Sequence, residues 1–253
     1  MEFPVSVVKH SAARTAFSQD AYVGGVERDG FCAALSFAWC RQLLKQVSGA
    51  FGVPQELPAL RIATLRKAAP ELIKKQRVYS AKQKAVQRLI PRITMALDVS
   101  NILSEQGFMS EGKALFDATM PVWNEVKSRK IIKTPRVEFP RALQELAQDN
   151  HMRITNVLKV PSFKEVDDAT AFATDKLESK CAHVLGLERF HAIAVYRTGG
   201  FFSTDFYFFD PNCGEFHCKG HIEAGFALYA LLHTVPQYNQ YKELFSFLVK
   251  ATG

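Results

Sequence analysis

The chain separates two kinds of hydrophobic periodicity along its length. From Phe31 to Gln148 apolar residues recur at helical spacing, and from Met152 onward the strongest runs alternate with period two. A helix is expected over Phe31–Val47, with Cys32, Leu35, Trp39 and Leu43 on one stripe, Arg41, Gln42 and Lys45 on its polar surface, and Gly49 and Gly52 ending it. From Pro58 to Lys133 the pattern is helical and basic, with breaks expected near Pro70, Pro91 and Gly107. A helix over Pro140–Gln148 precedes a strand over Met152–Val160, and Asp167–Leu185 reads as an amphipathic helix. Strands then follow at Phe190–Arg197, Phe201–Phe209 and Gly214–Cys218, with a turn at Gly199-Gly200. Helices over His221–Leu232 and Tyr241–Val249 close the chain. Helices first and strands later is the mark of an α+β fold, a helical half joined to an antiparallel sheet. The 253 residues suit one large domain. The expected organisation is an irregular segment over 1–24 and a single domain over 25–253, enlarged by a helical insert at about 58–133.

Composition narrows the class. Hydrophobic residues are 47% and charged residues 23%, which excludes wholesale disorder. No apolar run is long enough to span a bilayer. The start, Met1-Glu2-Phe3-Pro4-Val5-Ser6-Val7-Val8-Lys9-His10, has neither the basic and apolar regions of a Sec signal nor a glycine at position 2 for myristoylation. Five scattered cysteines do not make a disulfide scaffold and suit a compartment where thiols stay reduced. The formal net charge of +7 favours acidic partners, an anionic membrane surface among them, or else simply keeps the protein in solution.

Reactive side chains concentrate in three segments. They are Asp29-Gly30-Phe31-Cys32-Ala33-Ala34-Leu35-Ser36, Arg189-Phe190-His191-Ala192-Ile193-Ala194-Val195, and Phe208-Phe209-Asp210-Pro211-Asn212-Cys213-Gly214-Glu215-Phe216. On its own Cys32 would read as a small buried apolar residue, and Asp210 as the start of a turn. Together they read differently. A thiol works as thiolate, and a helix N-terminus and a neighbouring imidazolium both favour that form. His191 starts the first strand of an expected hairpin whose return strand ends at Asp210, so the carboxylate can reach the imidazole and fix its tautomer. Gly30, Ala33 and Ala34 leave room for a substrate backbone. The expected catalytic residues are therefore Cys32, His191 and Asp210, in a papain-like arrangement with the cleft between the helical and sheet halves.

These segments resemble the YopT-type cysteine peptidases, the group that includes the AvrPphB-like bacterial effectors. The resemblance rests on Gly30, Cys32, Leu35, Ser36 and Trp39, on His191 to Val195, and on the block from Phe209 to Phe216. It implies a papain-like cysteine peptidase fold and a thiol protease that needs no cofactor. It also implies a virulence effector secreted by a non-Sec route, a host protein substrate, and action in the host cytoplasm or at a membrane. The insert over 58–133 has no counterpart in the resemblance. A second departure lies before the nucleophile: Val26, Glu27, Arg28 and Asp29 include no amide side chain to help hold an oxyanion. The Cys32 backbone N–H supplies one donor, and Gln19, Arg28 or another backbone N–H is left for the second.

Other readings stay open on the sequence. Glutamine deamidation and acyl transfer use the same triad through a thioester, and a non-enzymatic binding module could keep the fold. Cys213, His217, Cys218 and His221 are zinc-ligand types within nine positions, but structural sites usually separate two ligand pairs by a longer loop, so no metal is expected. The cations of the insert are not interleaved with aromatic residues, so nucleic acid is not an expected partner. A monomer is expected.

Overall fold

A computed structural model describes residues 5–22, 31–133, 138–187, 191–200, 204–236 and 238–252. The helices are α1 (Val5–Lys9), α2 (Cys32–Gln46), α3 (Pro58–Glu105), α4 (Met109–Lys130), α5 (Arg141–Asp149), α6 (Val166–Asp175) and α7 (Gly220–Thr234). The strands are β1 (Ala13–Ala16), β2 (Val47–Ser48), β3 (Val53–Pro54), β4 (Ile131–Lys133), β5 (Glu138–Pro140), β6 (Met152–Pro161), β7 (Cys181–Leu187), β8 (His191–Arg197), β9 (Asp205–Asp210), β10 (Gly214–Lys219) and β11 (Glu243–Ala251). Seven strands form one sheet in the order β1-β10-β9-β8-β7-β11-β6, with every neighbouring pair antiparallel. The α+β class and the antiparallel sheet are as the periodicity requires.

Alternation along the strands gives the sheet two apolar faces. Ala192, Ala194, Tyr196, Tyr207 and Phe209 pack with α2, α5 and the first turns of α3. Ile193, Val195, Phe206 and Phe208 pack with α6 and α7. The middle strands are therefore buried on both sides, and β8 and β9 read as nearly continuous apolar runs.

Four elements differ from the sequence reading. Tyr241–Val249, expected as a helix, falls largely within β11 (Glu243–Ala251), which lies between β7 and β6. Leu244 faces one core, and Phe245, Phe247 and Val249 face the other; burial on both faces hides the alternation that identifies a strand. The helix expected over Asp167–Leu185 ends at Asp175, and the following residues build β7, which moves Cys181 from a helix to a strand. Helix α3 does not break at Pro70 or Pro91; it runs unbroken for 48 residues. Both prolines are on its exposed side, where water can take the carbonyls that lose their intrahelical partner. The N-terminal segment, expected as irregular, contributes α1, and β1 pairs along β10 from Ala13–His217 to Ala16–Gly214. Gly214 has a positive φ of 121°, and a Cβ there would lie 2.2 Å from the Thr15 carbonyl oxygen, so the close approach of β1 requires glycine.

The two halves are locked by a buried polar knot. Arg61 on α3 has 0% exposure, although its cationic neighbours are solvent-facing. Its Nε donates to Glu215 Oε2 at 3.1 Å, its Nη2 pairs with Glu215 Oε1, and its Nη1 reaches the Glu56 carbonyl at 2.5 Å. Trp39 Nε1 on α2 donates to the same Glu215 at 2.8 Å. Helix α2 is thus tied to α3 and to β10 through one carboxylate.

Candidate active site

Cys32 is the first residue of α2, where the backbone N–H groups have no intrahelical acceptor. Buried Phe31, Leu35, Phe37 and Trp39 hold this end of the helix in the core, and the Ser36 hydroxyl donates to the Ala192 carbonyl at 3.1 Å. That bond fastens the helix one turn past the thiol to the residue next to His191. Trp39 also stacks on Phe209, the neighbour of Asp210, with ring centroids 6.0 Å apart. The thiol itself is only half-buried.

His191 opens β8 and Asp210 ends β9, and the two strands pair antiparallel. The structure brings the three expected residues together. His191 Nε2 lies 3.0 Å from Asp210 Oδ1, and Cys32 is near enough to the imidazole to help raise its pKa. Nε2 is occupied by the carboxylate, so Nδ1 is the nitrogen left for the sulfur. Strand alternation groups His191 with Ile193 and Val195, on the face away from α2. The ring reaches Cys32 because it is the first residue of its strand.

Electrostatics reinforce the geometry. Burial alone would pull the His191 pKa down, but the charge and hydrogen bond of Asp210 outweigh it, Cys32 adds to them, and the ring is pushed up to about 10. Four thiols away from the site are set against ionisation. Burial raises Cys40, Cys213 and Cys218, and burial with the charge of Glu178 raises Cys181.

One residue of this site has no signal in the sequence. Tyr238, beyond the C-terminus of α7, places its hydroxyl 2.9 Å from His191 Nε2 and donates to Asp210 Oδ1 at 3.1 Å. The hydroxyl accepts from Asn212 Nδ2 at 2.6 Å, and the Asn212 backbone N–H donates to Asp210 Oδ1 at 2.7 Å. Gln19, one of the candidate oxyanion donors, has one of its two amide N–H groups engaged: Nε2 donates to Asn212 Oδ1 at 2.6 Å, and its backbone N–H donates to the Pro211 carbonyl at 2.8 Å. Arg28 and Gly30 lie outside the described residues. Along the first turn of α2, the Ala34 N–H is taken by Gln76 Oε1 at 3.1 Å and the Leu35 N–H by the Phe31 carbonyl at 3.0 Å. Among the described residues the N–H groups of Cys32 and Ala33, which lie beside the sulfur, have no acceptor.

The zinc-ligand types do not converge. Cys213 and Cys218 are buried in the core under α7, whereas His217 stacks on Tyr207 and approaches Asp205 at 3.3 Å, and His221 meets Phe206 edge-on. Among the described residues no group of three or more metal-ligating side chains could hold an ion.

A thiol in the first turn of a core helix, near a buried imidazole that a carboxylate holds from behind, on a frame of helices and antiparallel sheet, is the architecture of a papain-like cysteine peptidase. The chain belongs to the Yersinia/Haemophilus virulence surface antigen family, Peptidase_C58, whose model matches residues 2–243. It is a cysteine protease of a virulence-effector family. Its fold is similar to the crystal structure of the Pseudomonas avirulence protein AvrPphB, with a TM-score of 0.54 and 16% identity over 97% of this chain and 100% of that one. PatoxP, a cysteine protease-like domain of the Photorhabdus asymbiotica toxin PaTox, aligns with a TM-score of 0.43 and 11% identity over 96% of this chain and 55% of its own. The chain has no match among curated protein sequences.

Proposed function

We propose that the protein is a cysteine endopeptidase whose nucleophile is Cys32, with His191 as proton carrier and Asp210 as the residue that orients it. The observation that carries the reading is the 3.0 Å contact of His191 Nε2 with Asp210 Oδ1, with Cys32 at the start of α2 near enough to the ring to help raise its pKa. A ring that keeps its proton at neutral pH stabilises a thiolate beside it. The thiolate attacks the carbonyl carbon of the scissile peptide bond, and the oxyanion that forms accepts the Cys32 backbone N–H. His191 then gives its Nδ1 proton to the departing amine, leaving a thioester on Cys32. Water, losing a proton to Nδ1, attacks the thioester and releases the carboxylic acid, while Asp210 holds Nε2 throughout.

The substrate in this reading is a host protein, and the enzyme acts after delivery into the host cell by a route other than Sec. What supports it is the effector family of the chain. The surface of α3 suggests where such a substrate is met. At about 100° per residue, Arg66, Lys67, Lys74, Arg77, Lys84 and Arg88 lie within an arc of about 100°. All six are exposed, opposite the stripe that packs on α2. A cationic face of this kind suits an anionic membrane surface.

The direct test is iodoacetamide at neutral pH, followed by peptide mapping. A single fast adduct on Cys32, lost with His191→Ala, is the expected result. Cys32→Ala, His191→Ala and Asp210→Ala are each expected to remove most peptidase activity with the fold intact, because residues acting as a unit fail as a unit. Wild-type turnover in Cys32→Ala, or inactivation by Cys40→Ala or Cys213→Ala instead, would refute the assignment.

A further inference from the structure

The long helix α3 reaches the nucleophile. Its inner stripe begins with Ile62, Leu65, Ala69 and Leu72, all buried, at successive spacings of three and four. The next two members of that stripe are Gln76 and Tyr79. The helices α2 and α3 run antiparallel: Arg61 Nη1, near the start of α3, donates to Gln46 Oε1 at the end of α2 at 3.2 Å. Gln76, four turns on, accepts the Ala34 N–H in the first turn of α2. One turn further, the stripe passes the point where α2 begins, and there it presents Tyr79 beside Cys32.

Tyr79 departs from the stripe in both chemistry and burial. A residue with packing duty alone would be apolar and enclosed, as the preceding four are. Tyr79 and Cys32 are instead both half-buried, and both rest on the same core cluster. Burial raises the tyrosine pKa above its ordinary range, and a charge on Cys32 would raise it further.

We propose that Tyr79 contacts the substrate: the insert helix forms one wall of the cleft beside Cys32, and the Tyr79 ring bounds the pocket for an uncharged side chain next to the scissile bond. Gln76 docks that wall onto the first turn of α2. The ring face offers apolar surface, which a charged group would have to desolvate to reach. This inference rests on Cys32 being the nucleophile, and its test separates the two.

The full chain, as wild type and as the Tyr79→Leu, Tyr79→Ala and Cys32→Ala variants, is incubated with a proteome-derived peptide library. New N-termini are read by mass spectrometry, and Cys32 alkylation by iodoacetamide is timed in parallel. In Tyr79→Ala the relative cleavage of peptides that differ beside the scissile bond is expected to shift by about tenfold or more, toward larger side chains. Alkylation should stay within about twofold of wild type. Tyr79→Leu preserves stripe packing and should shift preference in the same direction by less. An unchanged preference in both variants, or a uniform loss over all peptides together with slowed alkylation, overturns the inference while leaving Cys32 in place. Cleavage of the wild-type sites by Cys32→Ala overturns the nucleophile assignment and this inference with it.

Discussion

Tyr238 lies nearly flat on His191, with ring centroids 4.5 Å apart and planes 15° from parallel, and its hydroxyl touches both ends of the His191–Asp210 bond. The stack covers the imidazole while the hydroxyl caps the Nε2–Oδ1 bond from one side, so the residue sets both the tilt of the ring and its shielding from water. Tyr238→Phe keeps the stack and removes the hydroxyl. The lost bonds are worth about 1–2 kcal/mol, so kcat/KM is expected to fall about tenfold, with secondary structure unchanged. Tyr238→Ala removes the cover as well and should cost more, with a narrowed alkaline limb in the pH–rate profile. A wild-type rate and profile in Tyr238→Phe would show that the hydroxyl is idle.

Arg61 and Glu215 should dominate the stability of the interface between α2, α3 and β10. Exposure is 0% and 1% for the two side chains, so removing either leaves a buried charge unpaired. Arg61→Ala or Glu215→Ala is expected to cost about 3–5 kcal/mol in urea unfolding. The double change Arg61→Met with Glu215→Leu should recover part of that loss, because no charge is then stranded. Equal losses in the single and double variants would mean that packing around Trp39 carries the interface.

Two histidines give stability opposite dependences on pH. His183 Nε2 accepts the Glu178 N–H at 3.1 Å, and its Nδ1 lies 3.0 Å from the Ser246 hydroxyl, a neutral tautomer. Burial, then the charge of Arg197, lowers its pKa from 6.5 to about 4. The unfolded chain therefore binds an extra proton between those values, and the contribution, on the order of 3 kcal/mol at most, is present above pH 6.5 and lost as pH falls through 4. His191 is raised from 6.5 to about 10, so its contribution is complete below 6.5 and is lost as pH rises through 10. Urea midpoints should fall on both sides of neutrality. His183→Gln should flatten the acid limb alone. An acid limb unchanged by that substitution would assign it to the carboxylates.

The parts of the site legible in the sequence were those built from neighbours along the chain. The helix that starts at Cys32 announces itself by its apolar stripe, and the hairpin carrying His191 and Asp210 by its paired aromatic and β-branched runs and the Gly199-Gly200 turn between them. Contacts that arise only on folding left no local trace. Tyr238 is 47 residues from His191, and Gln76 is 42 from Ala34. Each sits among other polar residues in its segment, and nothing near it in sequence says what it meets. The misread β11 has a different cause: a strand buried on both faces carries apolar residues without alternation, so its period is erased.

The cationic face of α3 yields the last prediction. Lys74 and Lys75 extend from the helix, Lys74 within 3.7 Å of Glu71 and Lys75 donating to the Asp149 carbonyl at 2.6 Å. Exposed pairs of this kind hold little energy, so Lys74 remains available to an anionic surface. Each basic residue close to such a surface contributes roughly 1 kcal/mol, and six on one arc are enough for measurable attachment. The protein is expected to co-sediment with phosphatidylserine vesicles and to be released by salt, since the attraction is screened beyond the Debye length. Lys74→Glu with Arg77→Glu should lower the bound fraction while leaving peptide cleavage in solution unchanged, because neither residue belongs to the stripe that faces Cys32. Equal recovery from anionic and neutral vesicles would show that this face only solvates the helix.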